Sequence, residues 1–309
     1  VFDVAFKIHV NDPLDPNAMK NLESYEKAEV TSEHYDQDVL VQKIAGYDAI
    51  VVRSATKVTK EVIEAGTDLK VIARAGTGLD NVDLNAAKKA GITVVNTPGA
   101  NSVSVAELTI GLMLGLFRHI PRGTNGLKEG LWEKKKLKGS ELFKKTVGIV
   151  GFGTIGKQVA ERLLAFGCEI LAYDVVKDAG GLDVEFVGLE ELYQKSDIIT
   201  IHTPLLDATK GLINGKAFEQ MKKGVFIIDA ARGGILDEQA LFDNIENGKV
   251  AGAALDVFDV EPPTDELRKK LIAFDNVVCT PHIGASTYEA QERVGEQIVE
   301  NLIKALEQL

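Results

Sequence analysis

From Thr146 to Gly156 the chain reads TVGIVGFGTIG, an apolar run closing on Gly151, Gly153 and Gly156 in a GxGxxG spacing. No other feature constrains the fold as much. That spacing suits a strand turning tightly into a helix whose N-terminus faces a pyrophosphate. The context fits: the helical pattern TIGKQVAERLLAFG follows, and the next apolar run, CEILAY, leads to Asp174. Gly151 permits the tight turn, Gly153 lets the backbone approach the pyrophosphate, and Gly156 lets the helix pack on the strand. The helix N-terminus offers unpaired N–H groups to the phosphates. Asp174 can accept hydrogen bonds from both adenosine ribose hydroxyls and would repel a 2′-phosphate, so NAD is expected as the cofactor in preference to NADP.

The motif sits near the middle of 309 residues, so a whole domain precedes it. Before it, β-rich runs at 4–10, 27–30, 49–53, 70–74 and 92–96 alternate with helical patterns that stop at Gly46 and Gly91. After it come runs at 147–150, 168–173, 197–203, 225–230, 251–257 and 276–280. Strand–helix alternation implies parallel sheets covered on both faces. The expected class is α/β with two doubly wound parallel-sheet domains, a Rossmann NAD domain and a flavodoxin-like substrate domain, with a cleft between them. The expected boundaries are 1–98 with 287–309 for the substrate domain and 99–286 for the NAD domain. The last helix, from Tyr288, crosses back onto the first domain in this reading. An apolar helix is expected over 103–120, buried at an interface, followed by a polar loop carrying Trp132.

A net charge of −11 without a long basic run argues against nucleic-acid or membrane binding. The apolar helix carries Ser104, Glu107 and Arg118 and reads as buried. Cys168 and Cys279 lie in apolar strand-like runs and read as free thiols of a reducing, cytoplasmic compartment. No signal segment is apparent at the N-terminus, and no metal site is expected.

In a doubly wound sheet, ligands sit beyond the carboxyl ends of the strands. Those ends carry Thr203 and Pro204, then Arg232, then Asp256 and Glu261, then His282 and Gly284. An Arg, a Glu and a His from three strand ends suit redox chemistry on a 2-hydroxy acid. Arg232 can hold the substrate carboxylate in a bidentate grip. His282 can take the hydroxyl proton as hydride leaves C2, and Glu261 can orient the imidazole. Each has an alternative: a phosphate anchor, a structural histidine and a solvated loop acid, respectively.

The motifs DAARGGILDEQAL, GAALDVFDVEPP and TPHIGAST, together with GFGTIG, resemble the D-2-hydroxyacid dehydrogenase family. In the first half, VVRSATKVT, RAGTGLDNVD and VVNTPGANSVSVAEL resemble its phosphoglycerate dehydrogenase branch. The resemblance implies Arg232, Glu261 and His282 as the catalytic trio. It implies contacts to NAD from Thr77, Ile155, Asp174, Thr203, Ala230 and Asp256. It places Arg53, Ser54, Arg74 and Gly76 on the substrate side, where the two arginines suit a phosphorylated small molecule. A homodimer, paired or not into a tetramer, is implied through the apolar helix and the Trp132 loop. Oxidation of 3-phospho-D-glycerate is the expected activity. The alternatives are glyoxylate or hydroxypyruvate reduction and, more remotely, a non-enzymatic NAD-sensing protein. Two departures stand out. Asp229 replaces an Asn found in many members, and the serine-sensing domain of longer members is absent, so feedback through such a domain is not expected.

Overall fold

The computed structural model describes residues 6–309. It divides into two compact units, one formed by the chain up to Asn101 with Ser286–Leu309, the other by Ser102–Ala285.

The smaller unit holds strands β1 (Phe6–Val10), β2 (Ala28–Ser32), β3 (Ala49–Val52), β4 (Val71–Arg74) and β5 (Thr93–Val95). All pair in parallel, in the order β2-β1-β3-β4-β5. The run expected from position 4 begins at Phe6 here; positions 4 and 5 lie outside the described residues. Helices α1 (Pro16–Glu23), α2 (Gln37–Lys43), α3 (Lys60–Ala65) and α4 (Leu84–Lys89) make the return crossings. Gly46 and Gly91, at φ 87° and 72°, stand just beyond α2 and α4, as their lack of a side chain suits. The core sorts by strand parity. Ala49, Val51, Val71 and Ala73 join one cluster, while Ile50, Val52 and Ile72 join another on the opposite face. The first cluster is covered by α1 and by the C-terminal helix α12 (Tyr288–Leu306), through Val294, Ile298, Leu302 and Leu306. Four-residue spacing puts these side chains on one face. Asn301 Nδ2 and Arg293 Nε donate to the carbonyls of Asn96 and Ala100, both at 2.9 Å, and tie α12 to the end of this unit's chain.

The larger unit holds β6 (Thr146–Val150), β7 (Glu169–Tyr173), β8 (Glu185–Phe186), β9 (Ile198–Ile201), β10 (Val225–Asp229), β11 (Val250–Leu255) and β12 (Val277–Cys279). All are parallel, in the order β12-β11-β10-β9-β6-β7-β8. The edge strand β8 was not expected from the sequence, because two residues carry no periodicity. Helices α5 (Ser102–Phe117), α6 (Ile120–Lys128), α7 (Thr154–Ala165), α8 (Leu189–Lys195), α9 (Gly215–Gln220), α10 (Glu238–Glu246) and α11 (Glu266–Ile272) cover its faces.

One expectation about the apolar helix is corrected. It stops at Phe117 rather than 120, and α6 departs at 63°. His119 adopts a left-handed backbone, φ 53°, which no α-helix continues. Much of its apolar surface serves the unit's own core. Ala106, Ile110, Met113, Leu116 and Phe117 pack into the unit's own core against α7 and β10–β12. Among the described residues, no single helix is long and apolar enough to cross a membrane.

Candidate active site

Strand order in the larger unit reverses between β6 and β9, the position at which a parallel sheet opens a crevice at its carboxyl edge. The glycine motif fills one side of that crevice. Gly151 adopts φ 95°, and a Cβ there would meet the His202 backbone at 2.6 Å. Gly156 admits no side chain because a Cβ would overlap the Gly151 carbonyl, which lets α7 lie close to β6. Gly153 differs: it is the N-cap of α7, and a Cβ there would meet nothing. Open space before a twelve-residue helix is what an approaching phosphate requires. Across the crevice, Thr203 Oγ1 is buried without a partner. Asp174 directly follows β7, and its Oδ2 accepts from Phe152 N at 2.6 Å while Oδ1 accepts from Val176 N at 2.9 Å. Its carboxylate therefore shapes the glycine loop and keeps lone pairs for ribose hydroxyls. These residues fit NAD. His202, next to Thr203, is neutral: burial pushes its imidazole down to about 3. Pro204 is exposed, and Ile155 is half-buried against the core beneath α7.

His282 follows β12, and its Nδ1 lies 2.8 Å from Glu261 Oε2. A carboxylate only accepts, so Nδ1 carries the proton of the neutral ring and Nε2 keeps the basic lone pair. Glu261 is itself fixed, since Oε1 accepts from Phe258 N at 3.0 Å. The His282 side chain is 43% exposed, so Nε2 can exchange a proton with a bound molecule. Its backbone is left-handed, φ 52°, a conformation that costs a non-glycine residue on the order of 1–3 kcal/mol and persists only where neighbours over-determine it. Asp256 supplies that constraint. Buried at the end of β11, its carboxylate accepts from Thr280 Oγ1, Ile283 N and Gly284 N at 2.6, 2.8 and 2.9 Å, and its carbonyl accepts from His282 N at 2.8 Å. Gly284 N is thus engaged by Asp256.

Arg232 follows β10, two strands from His282 on the same carboxyl edge. Its Nη1 donates to the Ala231 carbonyl at 2.7 Å. Gly233 packs so closely on Phe258 that a Cβ would overlap that residue's carbonyl. The Arg232 turn therefore packs directly on the start of the Glu261 loop. Arg268 braces the same loop: it pairs with Glu238, Asp259 and Asp265 at 2.7, 3.4 and 2.6 Å, while Glu238 Oε1 accepts from Asp259 N at 2.7 Å. Asp229, the last residue of β10, is buried and accepts from Ala231 N at 2.9 Å. Burial pushes its carboxyl up to about 7, with the Glu238 and Asp256 charges adding to the rise and Arg232 opposing it. Ala230 beside it is buried.

In the smaller unit, Arg53 and Arg74 leave the carboxyl ends of the adjacent parallel strands β3 and β4. Asn81 Nδ2 donates to the carbonyls of Arg53 and Thr56, each at 2.6 Å, and its Oδ1 accepts from Arg74 Nε at 3.3 Å. Gly76 has φ 148°, and a Cβ there would overlap the Arg74 guanidinium. Ser54 is exposed, and the Thr77 hydroxyl donates to Asn101 Oδ1 at 2.9 Å. The structure thus gathers Arg232, Glu261 and His282 in one unit and Arg53, Arg74 and Gly76 in the other. Among the described residues, no group of three His, Cys, Asp or Glu side chains could hold a metal ion.

Residues 110–284, more than half of the chain, match the family described as D-isomer specific 2-hydroxyacid dehydrogenase, NAD binding domain. The chain belongs to that family. It is an NAD-dependent D-2-hydroxyacid dehydrogenase. It is 56% identical over 301 residues to a hydroxypyruvate reductase of Thermotoga maritima, covering 97% of this chain and 98% of the relative. It is 47% identical to a D-3-phosphoglycerate dehydrogenase of Rattus norvegicus, over 94% of this chain but only 55% of the relative, so it spans about half of that longer protein. Among solved structures, D-lactate dehydrogenase of Aquifex aeolicus, complexed with NAD and lactic acid, superposes with a TM-score of 0.87 at 30% identity, over 98% of this chain and 95% of that one.

Two residues that shape the dehydrogenase's site were invisible as site residues in its sequence, and two others have a larger part than the sequence suggested. Asp12 and Asn81 look like ordinary loop polars, and Asp256 and Asp174 do more than contact a cofactor. For the three aspartates the signal available was positional: Asp12, Asp174 and Asp256 each stand one or two residues past a strand end, where loop N–H groups need acceptors, whereas Asn81, seven residues beyond β4, carried no such signal.

Proposed function

We propose that this dehydrogenase oxidises 3-phospho-D-glycerate to 3-phosphohydroxypyruvate, a reaction that serves serine biosynthesis. The observation that carries the reading is the pair Arg53 and Arg74, set at adjacent strand ends and bridged by Asn81. On a chain of net charge −11, a phosphate needs such a local cationic group. Arg232 holds the substrate carboxylate and polarises the C2 oxygen. Bound NAD, held at Gly153 and the α7 N-terminus, supplies the acceptor for the hydride leaving C2. The C2 hydroxyl proton passes to His282 Nε2, while Glu261 fixes the ring and balances the imidazolium that forms.

A second reading, reduction of hydroxypyruvate to D-glycerate, has support from the 56%-identical hydroxypyruvate reductase, which matches this chain nearly end to end. The hydroxy acids of the two readings, 3-phospho-D-glycerate and D-glycerate, differ only in the phosphate, so one comparison separates them. NAD-linked kcat/KM is measured on 3-phospho-D-glycerate and on D-glycerate. The phosphorylated substrate is expected to win by at least about tenfold. Equal efficiency, or a preference for D-glycerate, rejects the phosphoglycerate assignment.

A two-fold dimer in a reducing, cytoplasmic setting belongs to the same proposal. Support for the dimer comes from exposed apolar side chains on α6 and the following loop: Ile120, Leu127, Leu131 and Trp132, the last 82% exposed. Cys168 and Cys279 are free thiols, which suits that setting. Light scattering at micromolar protein gives a dimer mass in this reading, and a monomer mass rejects it.

A further inference from the structure

We propose that Asn81 is a positioning residue for substrate recognition, locking the backbone of the Arg53 loop and the Arg74 guanidinium into one preset frame. The inference rests on the reading of Arg53 and Arg74 as the residues that meet the substrate's phosphate.

The geometry leaves the Arg53 loop little freedom. From one side Asn81 donates both amide hydrogens to it, into the carbonyls of Arg53 and Thr56 at 2.6 Å. From the other side the buried Asp12 accepts from Arg53 N at 2.6 Å, Thr56 N at 3.2 Å and Thr56 Oγ1 at 2.8 Å. Asn11 Nδ2 adds a fourth tie to Thr56 Oγ1, at 2.7 Å. The remaining face of Asn81, its Oδ1, goes to Arg74 Nε. Gly76 leaves the guanidinium its resting place by lacking a Cβ. Asn81 therefore hydrogen-bonds to both arginine-bearing segments, and it does so with all three hydrogen-bonding groups of its amide. Two flexible guanidinium arms meeting one anion lose rotamer freedom on binding. A frame that sets their spacing beforehand lowers that cost, so its effect belongs to KM for the phosphorylated substrate.

Asn81→Asp gives the sharpest test. The shape is kept, but two donors become an acceptor facing two carbonyls, and a carboxylate beside Arg74 competes with the incoming phosphate. Asn81→Ala removes the bridge without adding charge, and serves where the Asp variant fails to fold. Both are compared with Arg74→Ala on 3-phospho-D-glycerate and D-glycerate, with NAD affinity and the circular dichroism spectrum as controls. The expected pattern is a KM for 3-phospho-D-glycerate raised roughly tenfold by Asn81→Ala and more by Asn81→Asp. kcat at saturation stays within about threefold, NAD affinity is unchanged, and KM for D-glycerate moves much less. Loss of folded protein alone would lower the active fraction and leave KM untouched. If Arg74→Ala raises KM for the phosphorylated substrate while neither Asn81 variant does, the positioning role is overturned and the substrate reading survives. If Arg74→Ala and both Asn81 variants leave the ratio of the two KM values unchanged, the substrate reading itself fails and the inference falls with it.

Discussion

The two units share one topological device and use it in opposite ways. Each sheet reverses strand order, between β6 and β9 in the larger unit and between β1 and β3 in the smaller. Such a reversal opens a crevice at the carboxyl edge. In the larger unit the crevice is lined by glycine, Gly153 faces open space, and Thr203 Oγ1 waits without a partner. In the smaller unit the equivalent position is closed. Asp12 and Asn11, just past β1, spend their side chains on Thr56, and Asp12 also takes Arg53 N, in the loop after β3. Topology supplies a crevice, but a nucleotide binds only where backbone donors have been left unspent. The smaller unit has converted its crevice into a brace for the arginine-bearing loop.

If the larger unit carries the chemistry and the smaller one only grips, removing the base gives the largest effect of all. His282→Ala is expected to lower kcat/KM by about 10²–10⁴-fold, as for loss of a general acid–base. NAD affinity, followed by NADH fluorescence, should stay near that of the parent, because the glycine crevice is untouched. A loss below tenfold would move the proton transfer to another residue and break the division of labour.

Asp229 sharpens the comparison next, as a buried carboxylate that the larger unit holds close to its chemistry. Its carboxyl is raised to about 7 by burial, against an ordinary value of 3.8. Between these values the folded protein keeps a proton that the unfolded chain has released, so stability falls as pH rises through that window. By pH 7 and above the cost is on the order of 4 kcal/mol, at about 1.4 kcal/mol for each tenfold shift in the proton equilibrium. Asp229→Asn removes it, since a neutral amide oxygen can still accept from Ala231 N. Thermal or urea melts should show the variant gaining on the parent from pH 4 to pH 8 and the gap closing on acidification. Parallel pH profiles would show that Asp229 stays ionised with a partner.

How much of this was legible in the sequence follows the same contrast. The glycine crevice could be read residue by residue, because φ 95° at Gly151 and the close approach at Gly156 leave no alternative residue. The placement of Arg232, Glu261 and His282 on one edge was legible because strand ends of a parallel sheet share that edge, and the structure adds the 2.8 Å contact between Glu261 and His282. The brace in the smaller unit was not legible. Asp12, Thr56 and Asn81 lie far apart in sequence, and nothing in the periodicity of either stretch says that one will hydrogen-bond to another. The break after Phe117 was missed for a related reason. An apolar run shows that a helix is buried, while a left-handed His119 is settled by what packs around it.

A paired substitution probes the two crevices directly. Gly153→Val projects into open space, so folding should be near normal while NAD binding is lost to the phosphate's displacement. Asp12→Ala should do the reverse. It strands Arg53 N, Thr56 N and the hydroxyl proton of Thr56, for a loss of about 2–3 kcal/mol in stability, at roughly 1–3 kcal/mol for each buried group left unsatisfied and partly relieved by water. NAD affinity should hold. Calorimetry gives both numbers for each variant. A Gly153→Val protein that binds NAD, or an Asp12→Ala protein that keeps its melting temperature, would erase the contrast drawn between the crevices.

The smallest expected effect concerns which dinucleotide the open crevice accepts. Asp174 combines two roles that a single substitution mixes: it carries a charge where a 2′-phosphate would lie, and it holds Phe152 N and Val176 N. Asp174→Asn removes the charge and keeps one acceptor oxygen, whereas Asp174→Ala removes both. If repulsion sets the cofactor preference, both variants should improve NADP use relative to NAD by roughly tenfold, about 1.4 kcal/mol. If the carboxylate also shapes the glycine loop, Asp174→Ala should raise KM for NAD several-fold more than Asp174→Asn. Steady-state rates with NAD and NADP on all three proteins separate the roles. Equal KM values for NAD in the two variants would confine Asp174 to its charge. A parent enzyme that already prefers NADP would show that the crevice reads the ribose through another residue.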